Sequence, residues 1–398
     1  MIPAIRQQFN NAFTEKQYQL LLNWIEQQYP SQLDFRVAET PLFISKQFTK
    51  EMLDTCQYIL SVIQSSSFTA LTDKSIPHQL QLKGNEGNPL FLAFDFGICK
   101  NGSKQLSPQL IEIQGFPSLF AYQAILDEAY RATTPIPVEY TTYLSQLNPS
   151  DYKKHLKNLL LGNHKPAEVI LLELFPEKQK TRIDFVVTEE ITGIKTICIT
   201  KLIRKDNQLF YYRGNELQPI KRIYNRLIFD ELLQQPAPIK AALATIQGNL
   251  AVEWCIHPHW FYRISKYTLP FLHHPNIPPT YFLHEIKQLP TDLENYVLKP
   301  LFSFAGQGVV LDITKPQLEK IQDPENWILQ KKVSYADCIE TPNGFAKAEI
   351  RLFYWWLPGG AAPIPVNNLG RISKGAMIGT RYNLDKTWVG GTCCYFEQ

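Results

Sequence analysis

Two groups of side chains in this sequence have the types and spacing to handle a phosphate-bearing ligand. The first is a set of oxygen donors. Asp95 lies in one apolar segment, and Glu112 and Gln114 belong to the next. If both segments are strands and pair, the three come close together. Glu112 and Gln114 then share a face, because strand side chains repeat with period two. One or two carboxylates, completed by phosphates and water, are what Mg²⁺ prefers. A solvated face of a two-stranded ribbon carries the same pattern. The second is Lys299, closing the β-rich run Tyr296-Val297-Leu298-Lys299 and followed by a loop with Gly306 and Gly308. Glycines let backbone N–H groups approach phosphate oxygens, and the ammonium adds a point charge. No Gly-Lys-Ser/Thr follows, so this is not a Walker A loop. An ordinary hairpin loop with a surface lysine reads the same way.

Further candidates lie downstream. Trp327-Ile328-Leu329-Gln330-Lys331-Lys332-Val333 is a buried strand turning polar, either a hinge whose backbone meets an adenine edge or an edge strand with a solvated end. Arg351 and Arg371 suit a clamp on a transferring phosphoryl group, or an ordinary surface. The pairs His257-Pro258-His259 and His273-His274 lack the i, i+4 or Cys-containing spacing of a zinc site. No Gly-x-Ser-x-Gly elbow is present. Lys153, Lys154 and Lys157 read as a solvated helix face.

The elements that must position these residues can be read from periodicity. The first 80 residues read as helical, with a Thr14-Glu15-Lys16-Gln17 capping box and a second helix over 50–64. The period then changes. Residues 90–98 and 110–113 read as strands joined by the turn Lys100-Asn101-Gly102-Ser103, a candidate hairpin. A helix is expected from Ser118 to about 131, and another from Ser150 to Gly162. Residues 167–235 read as a small α/β unit: a strand over 168–175, a helix over 177–192, then β-rich runs at 195–203, 209–212 and 220–224. Strands are expected again at 296–299, 309–313, 326–333 and 346–356.

Composition bounds the function. The 398 residues suggest two to three domains. Forty basic against 37 acidic residues leave a net charge of +3, which argues against a dedicated nucleic-acid binder. An apolar content of 44% excludes whole-chain disorder. No apolar run is long enough for a membrane span, and the first residues lack a signal-peptide pattern. Seven cysteines without a Cys-x-x-Cys pair suit a reduced, cytoplasmic protein.

Taken together, these segments resemble the ATP-grasp fold. Its usual order is a phosphate lysine and Gly-loop, a hinge, an arginine strand and a Glu-x-Asn metal strand. The counterparts here are Tyr296-Val297-Leu298-Lys299-Pro300, Gly306-Gln307-Gly308, Ile328-Leu329-Gln330-Lys331 and Glu349-Ile350-Arg351. The metal-like piece, Phe94-Asp95-Phe96 with Ile111-Glu112-Ile113-Gln114, comes far too early in the chain. That order resembles the circularly permuted ATP-grasp in the synthetase domain of glutathionylspermidine synthases. Ile264-Ser265-Lys266 is similar to that family's Ser-Asn-Lys helix, whose lysine contacts ATP. Glu177-Lys178-Gln179-Lys180-Thr181 is similar to its Glu-Asp-x-x-Thr helix start near the substrate. The resemblance spans roughly residues 85–390.

The resemblance implies an α+β fold: a circularly permuted ATP-grasp with a small α/β pre-ATP-grasp-like unit and N-terminal helices. The segments would be 1–84, 85–165, 166–240 and 241–398. It implies an ATP- and Mg²⁺-dependent ligase joining a small-molecule carboxylate to an amine, with no nucleic-acid or membrane partner. Asp95, Glu112 and Gln114 would hold the metal. Lys266, Lys299, Gly306 and Gly308 would bind phosphate, and Gln330, Lys331 and Val333 the adenine. Arg351 and Arg371 would stabilise the transferred group. Departures are specific. The family's carboxylate-binding arginine is Ala93 here, its Glu-x-Asn amide is Gln114, and its Asp-Thr-Pro-Thr is Gly115-Phe116-Pro117-Ser118. With Ala93 in place, Arg226 becomes the candidate to orient a substrate carboxylate, with Ser118 and Glu177 on the acceptor side. The same departures allow a degenerate ATP-grasp protein that binds nucleotide without ligating.

Overall fold

A six-stranded antiparallel sheet joins two segments far apart in the chain. A computed structural model describes residues 2–303, 306–379 and 382–398. In it, strands Phe91–Lys100 and Leu106–Gln114 form the expected hairpin. Its tip is set by Asn101, whose side-chain oxygen accepts N–H bonds from Ser103 and Gln105, both at 3.0 Å. Such a local Asx interaction fixes a turn without help from the rest of the fold. Next to Phe91–Lys100 lies Gly344–Trp355, and beyond it Ile364–Ser373 and Gly390–Thr392. A short strand, Ile339–Thr341, also pairs with Gly344–Trp355. Phe91–Lys100 is buried along almost its whole length, so both faces of the sheet are covered.

The N-terminal helices form as the apolar spacing requires. Thr14 makes a complete capping box at the start of Glu15–Gln28. The second long helix spans Lys46–Ile63, starts earlier than expected because Ser45 caps it, and buries Met52, Cys56, Ile59 and Ile63. Between them is an unexpected strand, Leu42–Ile44, which pairs in parallel with Cys394–Glu397. Three residues are too few to show a period, and the partner lies at the other end of the sequence. Side chains of these helices, of the hairpin and of the C-terminal strands share one apolar core.

Residues 169–254 hold a four-stranded parallel sheet. Its order is Glu253–Trp254, Arg222–Asn225, Val169–Glu173, Lys195–Cys198. A separate three-stranded sheet follows, with Trp327–Lys331 between Thr280–Phe282 and Tyr296–Pro300.

Several boundaries differ from the sequence reading. Ser118 does not open a helix. The helix is Phe120–Thr133, preceded by Leu119 in the left-handed region at φ 76°. Its first amides are taken by a distant carboxylate, with Leu119, Ala121 and Tyr122 donating to Asp184 at 2.9, 3.0 and 2.9 Å. Residue 150 is not a start either, since Asn148 caps Pro149–Leu161. The stretch 177–192 splits into a single 3₁₀ turn, Pro176–Lys178, and the helix Arg182–Thr192. The run 195–203 is likewise broken by a 3₁₀ turn, Ile199–Lys201. Residues 309–313 form no strand; a single bridge joins Leu298 to Val310.

Candidate functional site

Sheet register brings the charged residues of the two segments onto one face. Asp95 stands opposite Glu112 on one side and Arg351 on the other, and Arg371 stands opposite Glu349. Gln114 stands opposite Ala93 on the same face. Asp95 is only 1% exposed. Arg351 grips it in bidentate fashion, Nε to Oδ1 at 2.6 Å and a terminal nitrogen to Oδ2 at 2.7 Å. Arg371 adds a third bond to Oδ2 at 2.7 Å and reaches Glu349 at 3.1 Å. Tyr335 donates a short hydrogen bond to the other oxygen of Glu349. Burial alone would raise the Asp95 carboxyl, but the two guanidiniums outweigh it and hold it below the usual carboxylate range. The same carboxylates push Arg371 upward against its own desolvation.

Both Asp95 oxygens take guanidinium donors, one on Oδ1 and two on Oδ2, so the residue anchors the arginines. Glu112 remains a suitable donor. Its side chain is 28% exposed and carries one ionic contact among the described residues, from Lys266 Nζ at 3.2 Å. Glu112 with the amide of Gln114 fits Mg²⁺, which takes few protein ligands when phosphates complete its shell.

The opposing wall is built by the three-stranded sheet and the turn at Lys266. Ser265 caps the 3₁₀ helix Lys266–Phe271, its hydroxyl accepting from the Tyr267 amide at 3.1 Å. The turn is held against the hairpin by Gly115, whose amide donates to the Ile264 carbonyl at 2.8 Å. A Cβ at Gly115 would meet the Trp260 carbonyl oxygen at 2.4 Å, so only glycine allows this approach. Lys266 Nζ consequently reaches both Glu112 and the Ser303 carbonyl, the latter at 2.7 Å. Lys299 points the same way, donating to Gln330 at 2.6 Å and to the Ile111 carbonyl at 3.4 Å. Burial pushes its ammonium down to about 8, against the pull of Glu112 and with the help of Lys266. The loop beyond Lys299 returns to Leu298 through two backbone bonds with Val310, at 3.1 and 2.9 Å. Gly306 and Gly308 both take positive φ in that loop, at 72° and 73°. Phe304 and Ala305 of the same loop lie outside the described residues.

Other expected roles change. Gln330 accepts from Lys299 and donates to Thr280 at 3.0 Å, so it positions the lysine. The Lys331 and Lys332 amides are bonded to the Pro279 and Asn295 carbonyls at 2.9 and 2.8 Å, which removes them as adenine donors. Val333 follows directly, partly buried. Arg226 lies within electrostatic reach of the buried Glu173 and Asp184 carboxyls and is turned to backbone carbonyls. It donates to the Phe116 and Pro117 carbonyls at 3.2 and 2.7 Å and lies over the Phe116 ring at 4.5 Å. Ser118 is partly buried beside that turn, and Glu177 is exposed on its 3₁₀ turn. Tyr335 and the bridging role of Glu349 carry no signal in type or spacing; the register opposite Arg371 reveals Glu349, and a bridge to Cys99 with the bond to Glu349 reveals Tyr335.

The histidines also converge, although their spacing is not that of a zinc site. Ligand atoms of Glu86, His257 and His259 lie within 4.8 Å of one another. His259 accepts from the Leu82 amide at 3.0 Å through Nε2, so Nδ1 carries the proton that it donates to Glu86 at 2.8 Å. Arg263 covers Glu86 with bonds of 2.7 and 3.1 Å. With its lone pair used and a guanidinium adjacent, the group acts as an ion-pair lock.

No family model matches the chain, and no curated protein matches it. Among solved structures, the chain is similar to a glutathione synthetase-like effector from Globodera pallida, determined in its apo form. The TM-score is 0.59 at 12% identity, covering 97% of this chain and 98% of that one. The likeness shows a shared mixed α+β fold. No helix among the described residues is long and apolar enough to cross a membrane.

Proposed function

We propose that this chain is an ATP-dependent carboxylate–amine ligase with a circularly permuted ATP-grasp organisation. The observation that carries this reading is that Lys266 Nζ reaches Glu112 at 3.2 Å while Lys299 Nζ reaches the neighbouring Ile111 carbonyl at 3.4 Å, across two walls. Lys266 and Lys299 would neutralise phosphate oxygens, and the Gly306–Gly308 loop would fold over them. Glu112 and Gln114 would hold Mg²⁺, which supplies charge neutralisation for the phosphates. A substrate carboxylate then attacks the γ-phosphorus, giving an acyl phosphate and ADP. An amine displaces phosphate and forms the amide. This chemistry demands positioning and positive charge more than a protein nucleophile. Arg371, with its side chain 32% exposed, is the guanidinium able to meet the transferred group, while Arg351 is held back on Asp95.

The test is ADP release from Mg-ATP in the presence of pooled carboxylates and amines. Release that needs both pools supports the ligase, and no release with any pool rejects it. The engagement of Asp95 and the loss of Arg226 to backbone carbonyls favour a second reading, nucleotide binding without ligation. Thermal stabilisation by Mg-ATP without turnover would select it.

A further inference from the structure

The three-stranded sheet that carries Lys299 has a second face. Strand side chains alternate, so Thr280, Gln330 and Lys299 share the face turned to the candidate site, while Tyr281 and Tyr296 share the other with Leu329. The two tyrosines line a groove of about 510 Å³ together with Pro270, Glu285, Gln288 and Pro290. That volume falls in the roughly 300–1,000 Å³ of ligand sites. Phe282, also in the lining, is held in place by the rings of Tyr267 and Phe271, with centroids 4.9 and 5.6 Å away.

The groove's recognition groups are unspent. Tyr281 is 47% exposed. Among the described residues, neither Tyr281 nor Tyr296 has a ring, cation or hydrogen-bond partner, and the Gln288 amide has no hydrogen-bond partner. Glu285 is the one charged residue in the described lining. Its side chain is 65% exposed and meets only His284 among the described residues, at 3.8 Å. Lys287, two residues on in the chain, and Lys331, opposite Tyr296 in the sheet, do not line the groove.

We propose that this groove docks a proline-rich segment flanked by an arginine, in the polyproline II conformation. Aromatic-lined grooves recognise such segments, whose conformation is set before they bind, so little ordering entropy is lost. The pyrrolidine rings lie on the tyrosine faces and against Pro270 and Pro290. Proline presents a carbonyl and no N–H, so the two tyrosine hydroxyls and the Gln288 amide, all free to donate, find acceptors. Charge complementarity selects the flank: a guanidinium stacks beside the rings and pairs with Glu285, and a carboxylate in its place is repelled. Docking here is independent of the ligase reading, because Tyr281 faces away from Gln330 and Lys299.

The probe is a capped, fluorescently labelled peptide, arginine followed by Pro-Pro-Val-Pro-Pro, titrated with the full chain and followed by anisotropy. One counterpart carries glutamate in place of the arginine, and another carries alanine in place of every proline. We expect saturable binding of the probe, about threefold or more weaker binding of the glutamate peptide, and about tenfold or more weaker binding of the alanine peptide. Tyr281→Ala should weaken the probe by about tenfold, and Tyr281→Phe, which keeps the ring, by less. Glu285→Gln should erase the preference for arginine over glutamate while leaving proline still favoured over alanine. Both positions are exposed, so these variants should fold and keep the response to Mg-ATP of the unaltered chain. No saturable binding at millimolar peptide, equal binding of the alanine peptide, an unchanged Tyr281→Ala affinity, or a preference for arginine that survives Glu285→Gln overturns the site. Failure of the ligase reading looks different: the peptide binds, but Mg-ATP neither stabilises the protein nor yields ADP.

Discussion

Arg351 holds Asp95 through both carboxylate oxygens, at 2.6 and 2.7 Å, across neighbouring strands of one sheet. The pair is almost fully removed from water, so its worth lies in being complete. Removing one partner leaves an uncompensated buried charge, which costs about 3–5 kcal/mol. Asp95→Ala is therefore expected to lower stability by about that amount in urea unfolding. Asp95→Leu with Arg351→Met should recover part of the loss, since apolar replacements of both partners are often tolerated.

Glu112 is expected to behave differently, because its carboxylate is partly exposed and has one ionic contact among the described residues, at 3.2 Å. Glu112→Ala should leave the ligand-free melting temperature nearly unchanged. It should abolish most of the stabilisation by Mg-ATP, which for a ligand at about 100 times its Kd is about 2.7 kcal/mol. Thermal melts with and without Mg-ATP measure both.

Lys299 gives a pH signature. Its folded value, about 8, lies below the ordinary 10.5. Between those values the unfolded chain binds more protons than the folded one, so this group's unfavourable contribution is present below about 8 and is relieved as pH rises toward 10.5. Phosphate needs the protonated form, so Mg-ATP affinity should fall as pH rises through and above about 8. Lys299→Arg keeps its charge at all these pH values and should flatten that fall; calorimetric titrations across pH decide it.

Glu86 gives the opposite sign. Burial raises its carboxyl, but bonds from His259 and Arg263 outweigh it and hold the group at about 2 instead of 4.5. Its stabilisation is complete above 4.5 and is lost as pH falls toward about 2. Arg263→Gln should move the midpoint of acid unfolding to higher pH, as followed by circular dichroism.

What could be read from the sequence was local. The hairpin carrying Asp95 and Glu112 follows from alternation plus an Asn-Gly turn, and the Thr14 box from four consecutive residues. The charge placement around Lys299 could be anticipated only in outline. What escaped depends on contacts far apart in sequence. Asp184 displaces Ser118 at a helix start 65 residues earlier. Asp95 is gripped by a guanidinium because its partner strand places Arg351 opposite it. Gln330 became a lysine support because Thr280 and Lys299 arrive on both sides of it. Val309 and Val310 have strand propensity, but one bridge to Leu298 leaves no ladder to extend.

The sheet that unites the two segments also sets a timetable. Asp95 and Arg351 are separated by 256 residues. At synthesis rates of about 5–20 residues per second, Asp95 waits roughly 13–50 s on the ribosome for its guanidinium. Until then its strand has an open edge in a nascent chain, the kind of edge to which chaperones or other copies attach. A stalled ribosome that halts before Gly344–Trp355 emerges would therefore release a chain with a buried-type carboxylate and no means of burying it.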